Sequence, residues 1–482
     1  MTGSVIGSRA RPLGTLCLLL ALTAGVTTPA AAHPRLQRSV PAAGASVSVP
    51  LRELRLTFSE GIVAALSSVE LRDADGRRVS LGAMEGAPDA ATTVAAAIRD
   101  SLEPGIYTVL WKAAGDDGHP TRGRFTFTVL PKADNTGPVV RGTRIPTTPK
   151  PASGHHPAST FPNERPGFGV ESPGYVVVRW LLFAGLLLVI GVEAFQRVTL
   201  GMVARRAIPA GAAVTPGARS RAATIGVIAS LLLLAAVCAR LIAQVYAATE
   251  PGAELDPALM STMLFRTVWG RGWLIQFGAT LLVVVLYQRE RRSASRSAWV
   301  LVAVLVLSFT PALSGHALAV GRLVPLAVAA DGLHLLGAGG WLGTLAVLVL
   351  AGLPAAGALN SADRGVAVTE LVNAFSPAAL FFAGLTATMG TFAAWLHVGT
   401  VAALWQSGYG RTLLVKLGVL AVLVGTGAYN WRFVRPTLGT DTATARLRRS
   451  ASAEVTVALF VILVTAILVA TPPPTDLGMA AP

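Results

Sequence analysis

Residues 30–36 read AAAHPRL, and they close a segment with the order of a secretory signal peptide. Arg9 and Arg11 come first, then an apolar run from Leu13 to Val26, then Ala30, Ala31 and Ala32 as an A-x-A cleavage site. Cleavage there makes His33 the amino terminus. A terminal histidine offers its α-amine and a ring nitrogen to one ion as a chelate. That donor pair suits metals taking tetragonal nitrogen and oxygen ligands, among which Cu(II) binds most strongly of the first-row divalent ions. Pro34 has no N–H, so a deprotonated amide of the second residue cannot join the chelate. Further donors occur in GDDGHP (115–120), where Asp117 and His119 stand two residues apart. On an extended segment this spacing turns a carboxylate and an imidazole to the same face.

Those residues need a scaffold, and the stretch 33–131 supplies one. Period-two runs at 51–58, 68–74, 92–98, 106–113 and 124–130, separated by turn residues such as Asp75-Gly76, predict a small all-β sandwich or barrel. Residues 132–174 are rich in Pro, Gly and Thr without periodicity and read as a tether. The rest changes solvent. The chain is 52% hydrophobic and 13% charged, and apolar stretches near 175–195, 222–244, 272–288, 298–319, 324–351, 376–397, 412–431 and 454–472 predict eight membrane spans within 175–472, before a short tail at 473–482.

With the β domain outside, the inner connections carry Arg197, Arg205, Arg206, Arg219, Arg221, Arg289, Arg291, Arg292, Arg296, Arg364, Arg432, Arg435, Arg446, Arg448 and Arg449. The outer connections carry only Arg266, Arg271, Arg322 and Arg411. Positive-inside bias therefore accounts for the formal charge of +15, and no nucleic-acid partner is needed to explain it. Both ends of the mature chain are expected outside. Cys238 is the single cysteine after cleavage, which excludes an intrachain disulfide and a cysteine-cluster metal site in the mature chain.

Ionisable residues within the expected spans collect in their outer halves. His316, His397, Arg240 and Lys416 fall near outer ends, while Asp331 and His334 are i, i+3 neighbours in AADGLHLLGAGGWLG (329–343). His316, His334 and His397 are candidate copper ligands, with Asp331 orienting an imidazole. Arg240 and Lys416 read as snorkelling interface residues or as part of this path. Met260 and Met263 in ALMSTMLF offer thioethers to Cu(I) or simply pack. His155 and His156 in the tether are a further, incidental pair.

Two resemblances sharpen this reading. His33, LTFSEGI (56–62) and YTVLWKAAGDDGHPTRGRFTFTV (107–129) resemble the CopC copper-binding domain. The resemblance implies a cupredoxin-like β fold and a Cu(II) site made from the amine and ring of His33 with Asp117 and His119. Pro34 and the second acid Asp116 depart from the family pattern; Asp117 keeps the D-x-H register. Glu60 is either a carboxylate that orients a ligand or a solvated acid at a strand end. Met84 is the only methionine of the domain, so Cu(II) binding alone is expected there. SGHA (314–317), DGLHLLGAGGWLG (331–343), FSPAAL (375–380) and YGRTLLVKLGVLAVLVGTGAYNWR (409–432) resemble CopD, an eight-span family of copper handling.

The fold expected is an N-terminal all-β sandwich, cupredoxin-like or Ig-like with Greek-key connections, followed by an all-α polytopic domain with eight transmembrane helices. The function expected is copper capture outside the cytoplasmic membrane of a bacterium and passage to or across the membrane domain, without catalysis. Its partners are copper ions, the lipid bilayer, and a reductase or another extracytoplasmic copper carrier. Neither a GxxxxGK[ST] loop nor a P-type aspartate motif is present, so nothing supports an ATP-driven pump. Two alternatives stay open: a haem-binding electron carrier or cupric reductase built on paired histidines, and a copper sensor or buffer.

Overall fold

The computed structural model describes residues 34–48, 50–59, 61–87, 90–115, 120–131, 172–248, 257–293, 297–314, 323–471 and 474. The described residues divide into two compact units, one within His33–Gly167 and one within Phe168–Pro482.

The first unit is a sandwich of two sheets. One has the order β1 (Leu36–Val40), β3 (Glu53–Phe58), β7 (Ala90–Ile98), β6 (Leu81–Ala87). The other has the order β2 (Ser46–Ser48), β9 (Pro120–Leu130), β8 (Gly105–Ala114), β4 (Ser68–Arg72), β5 (Arg78–Val79). Alternation decides which side chains meet. Leu54, Leu56 and Phe58 of β3 face Tyr107 and Val109 of β8 and Phe125, Phe127 and Val129 of β9 in one core. The register of β8 on β9 runs unbroken from Gly105↔Val129 to Ala114↔Pro120. Gly123 is required midway, because a Cβ there would lie 2.4 Å from Cζ2 of Trp111, whose ring meets Phe58 edge-on at 5.3 Å. All five strands expected from sequence are present. The short strands β1, β2 and β5 and the bulged β6 are additions that alternation did not reveal.

The second unit is helical. Seven helices are long and apolar enough to span a membrane among the described residues: α1 (Pro173–Arg206), α2 (Pro209–Tyr246), α4 (Val268–Arg292), α6 (Val324–Gly357), α7 (Ser361–Val398), α8 (Gly408–Thr437) and α9 (Thr442–Leu468). Between α2 and α4 lies the short helix α3 (Pro257–Arg266). Of the eight expected spans, the one without such a helix among the described residues is the fourth. Its described residues form α5 (Ala298–Phe309), of 12 residues, followed by the 3-10 turn Ala312–Ser314; residues 315–322 lie outside the description. Twelve residues rise about 18 Å, against a hydrocarbon core of roughly 30 Å.

Polar contacts nevertheless fix both ends of α5. Ser297, its N-cap, donates its N–H to Glu290 Oε1 at 2.8 Å and accepts from Arg197 Nη2 at 2.7 Å. At the other end, Thr310 Oγ1 accepts from Gln276 Nε2 at 3.0 Å, and Gln276 Oε1 accepts from Arg240 Nη1 at 3.1 Å. Gln276 and Glu290 stand 14 residues apart on α4, about 21 Å. Helix α5 therefore runs antiparallel to α4 between two polar layers.

Proline and glycine positions follow the packing. Pro377, inside α7, cannot donate to the carbonyl of Asn373, and Arg206 Nη2 donates to that carbonyl instead at 3.3 Å. Arg206 also pairs with Glu370, and Arg435 Nε donates to Asn373 Oδ1 at 2.9 Å. Where α1 crosses α6, Gly191 and Gly343 allow backbone contact: a Cβ on Gly343 would lie 1.9 Å from the carbonyl oxygen of Leu187.

Candidate metal centre

In the sandwich, His33, Glu60, Asp117 and His119 lie outside the described residues, as does Asp116. Described residues lie one or two positions from each of them, at Pro34, Ser59, Gly115 and Thr121, and hydrogen bonds or a strand bridge tie these to the surrounding strands. Pro34, next to His33, accepts at its carbonyl from Thr121 Oγ1 at 2.7 Å, and Thr121 is two residues past His119. Arg35 N–H donates to Ser59 Oγ at 3.0 Å, and Ser59 N–H donates to the Arg35 carbonyl at 2.8 Å, beside Glu60. Ile62 bridges Gly115, and Val63 N–H donates to the Ala114 carbonyl at 2.9 Å. Ala114 and Pro120 face each other across the ends of β8 and β9. The segment entering β1, the exit of β3 and the facing ends of β8 and β9 thus share one edge of the sandwich.

In the helical unit, His316 lies outside the described residues, whereas Asp331, His334, His397, Met260 and Met263 are described. His334 projects from α6 onto α7. Its Nδ1 is 2.8 Å from the carbonyl oxygen of Thr386, so Nδ1 carries the proton and donates, and Nε2 keeps its lone pair. The ring fits because position 390 is glycine: a Cβ there would stand 2.7 Å from His334 Cε1. Gly337 and Gly340 extend the same close crossing over Thr386 and Phe382.

Asp331 interacts electrostatically with Lys416 of α8, and Lys416 also acts on His334. The helix faces explain this encounter. Lys416, Val419, Leu420 and Leu423 form one stripe of α8, while Asp331, Leu335, Ala338 and Leu342 form one stripe of α6. The apolar members of both stripes share a cluster with Ala458, Val461 and Ile462 of α9. Lys416 is thus part of a polar group with Asp331 and His334, and the snorkelling reading does not describe it. Nor does that reading describe Arg240, which is 8% exposed, bonded to Gln276 and stacked over Trp269 with Cζ 5.4 Å from the ring centre.

The other candidates stand apart. His397 is buried at the end of α7, seven residues from Gly390, or about 10 Å along the axis. Met263 is fully buried on α3, its carbonyl accepting from Thr267 Oγ1 at 2.6 Å; Met260 is half-buried one turn earlier. Among the described residues no three His, Cys, Asp or Glu side chains converge as a metal cluster. Thr386 and Gly390 were not recognisable from sequence as partners of His334. A backbone carbonyl leaves no residue signature, and a glycine opposite a ring becomes visible only once the crossing is known.

A β-sandwich joined in one chain to helices long and apolar enough to span a membrane defines a multi-pass membrane protein with a folded β domain. Residues 36–130 match the CopC domain, 170–323 the copper resistance protein D-like N-terminal domain, and 369–468 copper resistance protein D. The copper transport protein CutJ of Bacillus subtilis (strain 168) is 24% identical over 450 residues, spanning 92% of this chain and 75% of CutJ. Copper resistance protein C of Escherichia coli is 36% identical over 114 residues, covering 22% of this chain and 90% of that protein. The solved structure of CopC from Methylosinus trichosporium OB3b is 27% identical and covers 21% of this chain and 98% of its own, with a TM-score of 0.20. The chain belongs to the CopC/CopD copper resistance and transport family, as a fusion of the two parts.

Proposed function

We propose that this multi-pass membrane protein captures Cu(II) outside the cytoplasmic membrane of a bacterium through its sandwich domain and passes copper to its membrane domain for transport. The signal peptide ends at Ala32, and the ligands are the amine and ring of His33, with Asp117 and His119 and with Glu60 as an orienting carboxylate. The observation that supports this reading is the set of contacts Thr121–Pro34, Arg35–Ser59 and Ile62–Gly115, which join residues one or two positions from each of the four. Within the bilayer, His334 is the first copper ligand, because the Thr386 carbonyl fixes its ring and leaves Nε2 available as a donor. His316, His397, Met260 and Met263 are further members of the path. Both termini of the mature chain face outward, and the Arg197 and Arg206 layer faces the cytoplasm.

The experiment is copper uptake into proteoliposomes containing the mature full chain. Uptake that is lost in His119→Ala and in His334→Ala supports the route. Uptake unchanged in both overturns it, and tight copper binding with no uptake by the unmodified protein assigns the chain to buffering instead.

A further inference from the structure

A second buried polar group occupies the opposite end of α8 from Lys416. Asn430 stands 14 residues beyond Lys416, about 21 Å along the axis and within roughly 40° of the same face. There α8 loosens into the π-helical turn Asn430–Val434, a form concentrated at functional positions. Asn430 Nδ2–H donates to Oε1 of Glu454 on α9. Glu454 is 7% exposed inside the span Thr442–Leu468. Gly427 leaves the flank of Glu454 open, since a Cβ at that glycine would come no nearer than 3.9 Å to Oε2.

The pair is one hydrogen short. Asn430 Oδ1 is buried and has no donor. A buried amide oxygen without a donor is costly, and so is an ionised carboxylate in hydrocarbon whose partner is a neutral amide. One proton on Glu454 answers both: the acid O–H donates to Asn430 Oδ1 while the amide N–H donates to Glu454 Oε1, closing a two-bond ring.

The charged groups of the surrounding elements are engaged elsewhere or exposed. Glu193 and Arg197 of α1 pair with each other, and Glu370 of α7 pairs with Arg206. Asp331 of α6 interacts with Lys416 at the far end of α8. Arg432 of α8 is exposed over the Phe433 ring, Tyr429 is exposed, and Arg448 and Arg449 on α9 are exposed one to two turns away.

We propose that Glu454 and Asn430 form a proton-binding site in the half of the membrane domain that holds the Arg206–Glu370–Arg435 layer, and that its exchangeable proton is coupled to copper movement. The coupling rests on the transport reading above. The proton site itself does not.

Two measurements on the full chain in proteoliposomes test it. Infrared difference spectra across a pH titration are expected to show a protonated-carboxyl C=O band that is absent in Glu454→Gln and shifted in Asn430→Ala. The same band persisting in Glu454→Gln overturns the site, whether or not copper moves. In the second measurement, an imposed pH gradient is expected to change the rate of copper uptake, and Glu454→Gln to lose that response while keeping downhill copper flux. A pH response that survives in Glu454→Gln overturns the coupling, as does a response to a sodium gradient in place of the pH gradient. Glutamine keeps the shape and the amide contact, so retained downhill flux in that variant also certifies its fold. Complete lack of uptake by the unmodified protein overturns transport and coupling together, leaving the infrared band to decide the site.

Discussion

His334 and Thr386 meet across the α6–α7 crossing through a ring nitrogen and a backbone carbonyl, 2.8 Å apart. The acceptor is main chain, so no side-chain substitution at position 386 removes it, and the histidine is held in one tautomer by the helix itself.

The glycine beneath the ring is therefore a more incisive target than the threonine. Gly390→Ala places a methyl 2.7 Å from His334 Cε1, inside van der Waals contact, and must displace the imidazole. Copper uptake in proteoliposomes is expected to fall by about 10- to 100-fold, the range seen when the support of a metal-ligating histidine is lost. Cu(II) binding by the sandwich domain should stay unchanged. Undiminished uptake in Gly390→Ala would remove His334 from the path.

At the sandwich edge, Thr121→Val deletes the hydroxyl that holds the Pro34 carbonyl while keeping the side-chain shape. The expected cost is about 1 kcal/mol of domain stability, with a weakened Cu(II) complex because the residue after His33 is no longer tethered. Denaturant unfolding and calorimetric copper titration of the domain measure the two effects. One extra residue ahead of His33 leaves the imidazole but moves the amine, and is expected to lower Cu(II) affinity far more than Thr121→Val does; equal affinity would refute the terminal chelate.

Arg206 substitutes for the amide hydrogen that Pro377 lacks. Arg206→Ala strips the donor from the Asn373 carbonyl and the partner from Glu370, and should destabilise the detergent-solubilised protein by about 1–3 kcal/mol. Pro377→Ala restores an N–H for that carbonyl. In a thermal-unfolding double-mutant cycle the second change should recover part of the first loss, and strict additivity would show that the carbonyl does not link the two sites.

The membrane path of α5 can be read by labelling. With Cys238 replaced by serine, a cysteine at Ser295 should react with an impermeant maleimide only from the cytoplasmic side and one at Gly321 only from the outside. Labelling of both from one face would mean that α5 does not complete a crossing, and would invert everything after it.

The β strands with strict alternation, such as ELRLTF in β3, were legible because one face is buried and the other solvated, and period two is then written directly in the residues. Strand β6, LGAMEGA, was not, since two register shifts and small residues erase the pattern. Seven spans were legible from length and hydropathy. In the fourth stretch, 298–319, the described helix is the shorter α5, because an apolar run reports what the chain can bury but not where a helix stops. The D-x-H spacing of Asp117 and His119 is legible in the sequence alone. Lys416 and Arg240 were misjudged because their depth depends on neighbours from other helices, and sequence distance from a span's end cannot supply that. Glu454 drew no attention for the same reason: its meaning comes from Asn430, 24 residues away on another helix.

The contact of Gly191 with Gly343 bears on how this domain can move. Two helices that touch main chain to main chain, with Leu187 O where a methyl on residue 343 would sit, have no side chains between them to re-pack. They can neither roll nor ratchet by a turn without first separating. Helices α1 and α6 therefore move as one rigid pair, and any alternation of access must leave this crossing intact.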